Sequence, residues 1–253
     1  MKRIWLTGAS SGIGAALAEI LLTQGHFLAV SARNAEALEK LHGGYPQQVL
    51  LLPGDLTEPG VVQAMGERIG QAWGHLDQVI LNAGTCEYVD SGAFEAYMIE
   101  RVMRANLFSA AYCVEAALPL LRKAARPHLV AVCSSVTYLP LPRAEAYGAS
   151  KAAMRYLFQS LRIDLAHEGI DVTLVSPGFV DTPLTRQNDF PMPMRWPVGK
   201  AAVYIATRLE KRPLEIAFPG PFIAALRALA LLPQRLQLTL GRRMARPVTQ
   251  EPS

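Results

Sequence analysis

The chain has 253 residues, 51% of them hydrophobic, which is enough for one large α/β domain with a full core. Its three cysteines are scattered and show no metal-binding spacing, so we expect no disulfide framework and no metal site, and a reducing, cytoplasmic setting. The net charge of +4 comes from residues 222–253, which hold five arginines and one acid. Because residues 1–221 are neutral overall, the composition disfavours nucleic-acid binding.

In chain order, short apolar runs alternate with longer helical patterns. The runs predict strands at residues 3–7, 26–32, 49–53, 76–81, 128–134 and 170–176, with 214–217 as a candidate seventh. The helical patterns cover residues 12–24, 34–41, 59–73, 94–121 and 147–167. Apolar strands separated by helices are typical of a parallel sheet that is covered on both faces. We therefore predict a Rossmann-type doubly wound α/β fold of about seven strands, with its ligand beyond the carboxyl ends of the strands.

A glycine-rich loop, Thr7–Gly14, directly follows the first predicted strand and opens the first helix. Gly8 permits a tight turn, Gly12 lets the backbone approach a phosphate, and Gly14 allows the helix to pack closely on the strand. The free N–H groups and the helix dipole at this end favour a pyrophosphate. The loop therefore predicts a dinucleotide site, and the alternative is a glycine-rich turn without a ligand.

Tyr147 and Lys151 stand four residues apart in a predicted helix, so they share one face. An ammonium close to a phenol favours the phenolate and lowers the pKa of the tyrosine. Such a shift would make Tyr147 a proton donor and acceptor near neutral pH. Taken alone, the spacing is equally typical of an ordinary surface pair.

Several motifs together resemble the classical short-chain dehydrogenase/reductase family over residues 3–183. They follow the family's order and stand at the ends of the expected elements: Thr7–Gly14, Asn82-Ala83-Gly84, Asn106, Ser134-Ser135, Tyr147, Lys151 and Pro177-Gly178. The resemblance implies hydride transfer between a nicotinamide cofactor and a carbonyl carbon, matched by proton transfer at the oxygen. It also implies a homo-oligomer, a dimer or tetramer, since family members often associate through their fourth and fifth helices.

The resemblance further implies four catalytic residues. Tyr147 is the acid/base, Lys151 tunes that phenol and holds the nicotinamide ribose, and Ser135 bonds the substrate oxygen. Asn106 supports a water relay to Lys151, the alternative being a helix-interior asparagine that bonds the backbone. Ser135 is preferred to Ser134 because it directly precedes Val136, although the loop to Tyr147 is about one residue shorter than usual. Tyr138 is interpreted as a pocket wall.

The nucleotide is predicted from the end of the second strand, where Arg33 follows Ala32 and no acid is present. A guanidinium suits the 2′-phosphate of NADP(H), so we predict that cofactor, with Ser10 assisting; the alternative is a solvated arginine. Asp55 resembles an adenine contact or caps the helix near Pro59, and Thr182 resembles a carboxamide contact or is a turn threonine. The expected cofactor-binding residues are Gly8, Ser10, Ser11, Gly12, Ile13, Gly14, Arg33, Asp55, Leu56, Asn82, Ala83, Gly84, Tyr147, Lys151, Pro177, Gly178, Val180 and Thr182.

We divide the chain into a single oxidoreductase domain, residues 1–221, and a divergent tail, residues 222–253. The tail's apolar stretch, residues 222–232, is too short to span a bilayer, and no signal peptide is visible before Gly8. The preferred interpretation is that this stretch packs on the domain or at an interface while the arginines stay solvated. The alternative is weak contact with an anionic membrane surface, which would make the protein peripheral to a membrane.

These observations predict an NADP(H)-dependent oxidoreductase that interconverts an alcohol and a ketone or aldehyde. The small-molecule substrate is expected to be hydrophobic, because the lid region, about residues 184–198, is apolar. The rival hypothesis is a sensor or scaffold that binds NADP(H) without turnover.

Overall fold

The computed structural model describes residues 1–89 and 91–244. The strands are β1 Arg3–Thr7, β2 Phe27–Ala32, β3 Val49–Pro53, β4 Gln78–Leu81, β5 His128–Val132, β6 Asp171–Pro177, β7 Val180–Asp181, β8 Trp196–Pro197 and β9 Glu215–Phe218. The α-helices are α1 Gly12–Thr23, α2 Ala35–Gly44, α3 Pro59–Trp73, α4 Ala96–Met103, α5 Ser109–Leu121, α6 Glu145–Ala166, α7 Val198–Leu209, α8 Gly220–Ala230 and α9 Gln234–Met244. Short 3₁₀ turns occupy Ser91–Ala93, Ser135–Tyr138 and Thr185–Gln187, and a π-helical turn occupies Arg104–Phe108.

Within these residues, seven parallel strands form one sheet in the order β3-β2-β1-β4-β5-β6-β9. The strand order reverses between β1 and β4, which is the switch point of a doubly wound sheet. One face is covered by apolar side chains of α1, α2 and α7, and the other by those of α3, α5 and α6. The predicted Rossmann-type α/β fold is confirmed, including the seventh strand.

The predicted helix over residues 94–121 differs in one respect that matters for the site. It begins at Ala96, and the π-helical turn at Arg104–Phe108 divides it into α4 and α5. A π turn inserts an extra residue into the helical ladder, and such turns are frequent at functional sites. Here the turn carries Asn106, which is fully buried and bonds the loop after β4. The hydrophobic pattern of the sequence does not reveal this interruption.

The tail divides into two helices with different surroundings. Helix α8 packs on the domain through Ile223 and Leu226, both buried, whereas α9 has no buried side chain. The preferred interpretation expects a packed apolar stretch and solvated arginines, and Arg235, Arg242 and Arg243 of α9 are exposed. The division of the chain into a domain and a tail stays a prediction. Arg246 and Glu251 of the tail lie outside the described residues. None of the helices in the described part of the chain has the length and apolarity that crossing a bilayer requires.

Candidate active site and cofactor cleft

A cleft of about 570 Å³ lies where the strands end at their carboxyl side. It brings together most of the predicted site residues: Gly8, Ser10, Ser11, Gly12, Ile13, Arg33, Asp55, Leu56, Asn82, Ala83, Gly84, Tyr147, Lys151, Pro177, Gly178, Val180 and Thr182. Three predicted residues do not line it, namely Gly14, Asn106 and Ser135. Gly14 packs against the glycine loop, and the side chains of Asn106 and Ser135 are buried inside the protein.

Hydrogen bonds from Asn82 hold the glycine loop to the end of β4. The Asn82 side-chain amide donates to the carbonyl oxygens of Thr7 and Gly8, each at 3.2 Å. In return, the Thr7 hydroxyl accepts from the backbone N–H groups of Asn82 and Ala83, each at 3.0 Å. The Asn-Ala-Gly motif therefore fixes the position of the loop across the switch point of the sheet.

The glycines in this loop are required by space and by backbone conformation. Gly8 and Gly12 have φ angles of +69° and +55°, in the region that favours glycine. A Cβ at Gly14 would lie 2.1 Å from the carbonyl oxygen of Gly8, so a side chain there would separate α1 from the loop. The first turn of α1 has no side-chain cap from Ser11, which leaves its N–H groups free to bind an anion. This cradle fits the pyrophosphate of a dinucleotide.

The opposite end of the cleft carries Arg33 and Asp55. Arg33 is exposed, and no residue within the described ranges forms an ion pair or hydrogen bond with its guanidinium. The Asp55 carboxylate accepts from the N–H and the hydroxyl of Thr57, each at 2.9 Å, which is an Asx turn. The alternative that Asp55 caps α3 is therefore wrong: the N-cap is Glu58, and it makes no side-chain cap.

Thr182 lies close to the glycine loop. Its hydroxyl accepts from the backbone N–H of Thr185 at 3.3 Å, so it does form a turn before the lid region. Its side chain also approaches Gly12 closely enough that a Cβ at Gly12 would lie 3.3 Å from it. The two interpretations of Thr182 are thus compatible in the structure, as a turn residue that also lines the cleft.

Lys151 is buried near the ring of Tyr147. The Lys151 ammonium is buried, donates to the carbonyl of Val132 at 2.9 Å and lies 6.0 Å from the centroid of the Tyr147 ring. Burial raises the pKa of Tyr147 and lowers the pKa of Lys151, since burial disfavours the charged form of each. The expected lowering of the tyrosine pKa is therefore wrong, whereas the expected closeness of the Lys151 ammonium to the Tyr147 hydroxyl stays a prediction.

The structure contradicts the choice of Ser135 over Ser134. Strand β5 ends at Val132, two residues earlier than predicted, and a 3₁₀ turn then begins at Ser135. As a result Ser134 lines the cleft, whereas the Ser135 side chain is buried away from it. Ser134 also lies close enough to the Tyr147 phenol to act toward a lower pKa of that phenol, but burial outweighs this effect.

Asn106 supports the cleft wall from inside the protein. Its side chain accepts from the N–H of Thr85 at 2.7 Å and donates to the carbonyl of Thr85 at 3.0 Å and to the Ser150 hydroxyl at 2.8 Å. Asn106 thus bonds the backbone of another element, not that of its own helix. Gly84 separates it from Lys151: a Cβ there would lie 2.9 Å from Asn106 Oδ1 and 3.3 Å from Lys151 Nζ. A relay between these two side chains stays a prediction.

The sequence patterns missed cleft residues that come from the loop after β4, from α4, the π-helical turn and the start of α5, and from the lid region. These are Thr85, Glu87, Arg101, Arg104, Ala105, Ser109, Leu184 and Thr185. Arg101 Nη2 and Glu87 Oε2 form an ion pair of 2.6 Å at the cleft wall. No local motif marks them, since they reach the cleft only through the path of the helix. Residues 1–89 and 91–244 contain no cluster of three metal-ligating acidic, His or Cys side chains.

A doubly wound sheet with a glycine loop at its switch point defines a Rossmann-type nucleotide-binding protein. A family model described as short chain dehydrogenase matches residues 2–191. The chain therefore belongs to the short-chain dehydrogenase/reductase family, an oxidoreductase family.

Relatives and a solved structure extend this likeness along the chain. An uncharacterized oxidoreductase of Staphylococcus epidermidis is 31% identical over 185 residues, which cover 73% of this chain and 80% of the relative. An uncharacterized oxidoreductase of Myxococcus xanthus is 30% identical over 244 residues, which cover 94% and 96%. The structure of the Pseudomonas aeruginosa RhlG/NADP active-site complex has a TM-score of 0.79 at 27% identity and covers 88% of this chain and 96% of that one.

The two serines give a direct test of the site geometry. We expect Ser134→Ala to lower kcat by about a hundredfold, because it removes the cleft hydroxyl that would donate a hydrogen bond to the substrate oxygen. Ser135→Ala, whose side chain faces away from the cleft, is the matched control and should leave kcat nearly unchanged. Steady-state kinetics of both variants make the comparison, and a larger loss in Ser135→Ala would contradict the assignment.

Proposed function

We propose that this protein is an NADP(H)-dependent oxidoreductase that interconverts an alcohol and a ketone or aldehyde. The observation that carries the proposal is the convergence of Ser134, Tyr147 and Lys151 in the cleft that also holds the glycine loop and Arg33. A nicotinamide bound there would supply or accept the hydride. The chain's own residues would bind the oxygen, orient the carbonyl and move the proton.

The proton chemistry follows from the contacts of Tyr147. Ser134 and Tyr147 line the same cleft, and the hydroxyl of each can donate a hydrogen bond to a substrate oxygen bound there. Because burial raises the pKa of Tyr147, the phenol is protonated near neutral pH and is ready to donate its proton as a carbonyl oxygen gains charge. Lys151, buried behind it, would stabilise the phenolate that remains and hold the ribose hydroxyls of the cofactor.

Arg33 supports NADP(H) over NAD(H). Its guanidinium is exposed at the cleft and has no protein partner in the described residues, so it is free to pair with a 2′-phosphate. No acid stands at the end of β2 to bond a ribose 2′-hydroxyl. The RhlG structure, which was solved with NADP, is a relative with the same fold.

An aromatic cluster beside the lid supports a hydrophobic substrate. Phe190 of the lid lies 5.4 Å from Tyr88 and 6.2 Å from Phe179, measured between ring centroids. Phe179 in turn lies 5.5 Å from Phe222 of α8, so the tail helix contributes a ring to this aromatic cluster. Such rings offer a large apolar surface to a ligand.

The enzyme and the sensor differ in turnover. We expect the purified chain to oxidise NADPH with at least one member of a panel of apolar ketones and aldehydes. Tyr147→Phe should lower kcat by about a hundredfold or more, because it removes the proton donor while keeping the ring. NADPH oxidation measures the rate, and quenching of protein fluorescence measures NADPH binding. Tight NADPH binding without turnover of any compound would favour the sensor.

Arg33→Ala tests the nucleotide. We expect the KM for NADPH to rise at least about tenfold while the KM for NADH is unchanged, because only the 2′-phosphate loses a charged hydrogen bond. Arg68→Ala is the control, since Arg68 is an exposed arginine on α3 that does not line the cleft. A preference for NADH that Arg33→Ala leaves unaltered would contradict the NADP(H) proposal.

A second candidate function, contact with an anionic membrane surface, is favoured by α9. Its apolar side chains are exposed, including Leu236 at 51% and Leu240 at 39%, which lie one turn apart on the same side of the helix. Arg235, Arg242 and Arg243 lie on the same helix, and residues 222–244 contain no acid. Apolar side chains flanked by arginines fit an anionic lipid surface.

Liposome co-sedimentation tests that contact. The full chain should pellet with vesicles of phosphatidylglycerol more than with vesicles of phosphatidylcholine, because only the former attract the arginines. Leu236→Ser combined with Leu240→Ser should reduce the pelleted fraction, whereas Leu214→Ser, a control at an exposed leucine outside the tail, should not. Protein that stays in the supernatant with both lipids would exclude the proposal.

The homo-oligomer and the cytoplasmic setting stay predictions. Helix α6 supports the first, since Tyr156 and Ile163, seven residues apart on one face, are 78% and 71% exposed. Light scattering of the purified chain would measure the mass, and a monomer would count against the oligomer.

A further inference from the structure

One buried carboxylate outside the cleft collects charged and polar groups from four elements. Glu215 at the start of β9 accepts from Arg155 Nη1 at 2.5 Å, the Tyr138 hydroxyl at 2.6 Å, the Ser176 hydroxyl at 2.6 Å and Arg227 Nη2 at 3.0 Å. Its side chain is only 18% exposed. Burial alone would raise the pKa of Glu215, but these donors outweigh it and bring that pKa to about 2. The carboxylate is therefore ionised at any working pH.

The ring of Tyr138 lies between the two arginines of this cluster. The guanidinium carbons of Arg155 and Arg227 are 5.1 Å and 4.9 Å from its centroid, within the range of cation–π contacts. Its hydroxyl donates to Glu215 and accepts from Arg227 at 3.2 Å. Both the ring and the hydroxyl of Tyr138 thus have fixed partners. A residue that only lined a pocket would not need these contacts.

Tyr138 ends the short turn that carries Ser134 at its start. The turn occupies Ser135–Tyr138, and Ser134 caps it by accepting from the N–H of Val136 at 3.2 Å. The Ser134 carbonyl accepts from the hydroxyl of Thr137 at 2.9 Å and from its N–H at 3.3 Å. Because Tyr138 follows Thr137 directly, a force that fixes Tyr138 also fixes the turn and the direction of the Ser134 hydroxyl.

The same cluster reaches the helix that carries the proton donor. Arg155 follows Lys151 by four residues and Tyr147 by eight, so the three side chains lie along one face of α6. Glu215 therefore connects the turn after Ser134, through Tyr138, to helix α6, through Arg155. Arg227 adds the tail helix α8 to this connection, at an exposed position where the ion pair contributes less.

We propose that Glu215 is a positioning residue that, through Tyr138 and Arg155, holds Ser134 in register with Tyr147. The proposal rests on the proposed function for the rate effects, but the order of the serine turn is a property of the protein alone. Nothing in this cluster touches the cleft, so it acts only through the turn and the helix.

Two substitutions in the full chain test this positioning role of Glu215, which we call the clamp. Glu215→Gln keeps the shape and removes the charge, and Tyr138→Phe keeps the ring between the arginines and removes the hydroxyl. We expect each to lower kcat between about tenfold and about a hundredfold, because a displaced catalytic group loses alignment. The Kd for NADPH should stay within about twofold of wild type, since no cofactor contact changes. Glu215→Asp should recover more of kcat than Glu215→Gln.

Hydrogen–deuterium exchange of peptides that cover residues 133–139 provides the readout that activity cannot. The amides of Val136 and Thr137 should exchange at least about tenfold faster in both variants, because their bonds to Ser134 open more often. Glu210→Gln is the matched control: it removes a carboxylate that pairs with Lys2 at 2.8 Å on the surface and should leave this segment unchanged.

The results of these experiments distinguish failure of the clamp from failure of the proposed function. Wild-type exchange at Val136 and Thr137 in folded Tyr138→Phe would overturn the clamp, and that variant decides the matter if Glu215→Gln does not fold. Faster exchange with unchanged kcat in a turning-over enzyme would also overturn it. If the wild-type chain turns over no carbonyl compound, the proposed function fails, whereas exchange still supports or overturns the clamp.

Discussion

The hydrogen bonds between Thr7 and Asn82 are the constraint on which the rest of the site depends. They join the ends of β1 and β4 at the point where the strand order reverses, so the glycine loop cannot move independently of the strand beside it. Parallel strands deliver their carboxyl ends to one edge, which is why loops distant in sequence meet in one cleft. With the glycine loop fixed on one side of the switch point, β5 and α6 bring Ser134 and Tyr147 to the other.

Burial has opposite consequences for the two central side chains. It raises the pKa of the Tyr147 phenol and lowers the pKa of the Lys151 ammonium, because burial disfavours the charged form of each. Under the proposed function, Tyr147 would donate a proton and Lys151 would stabilise the phenolate that forms. The Lys151 ammonium donates to the Val132 carbonyl, and Ser134 lines the same cleft as Tyr147. The proposed chemistry therefore uses the hydroxyl groups of Ser134 and Tyr147, with a buried ammonium nearby.

Much of the fold and part of the candidate site could be predicted from the sequence, because they follow from local patterns. The apolar strands and the glycine loop are local sequence patterns. Because strands alternate with helices along the chain, these patterns predict a doubly wound parallel sheet, and the sheet in turn predicts where the cleft lies. The choice between Ser134 and Ser135 depended on the path of the chain after β5, which leaves the strand at Val132 and enters a 3₁₀ turn at Ser135, so the alternation of a strand no longer tells which side chain faces the cleft. The π-helical turn at Asn106 and the donors around Glu215 are set by contacts between distant elements, which no local spacing reveals.

The proposed function requires that a nicotinamide and a carbonyl compound meet in the cleft beside Tyr147. The most direct measurement uses NADPH carrying deuterium at the transferable position of the nicotinamide, together with a carbonyl compound that the chain consumes. Mass spectrometry of the alcohol should find one deuterium on the former carbonyl carbon. An alcohol without deuterium, or NADPH oxidised with no alcohol formed, would contradict direct hydride transfer in this cleft.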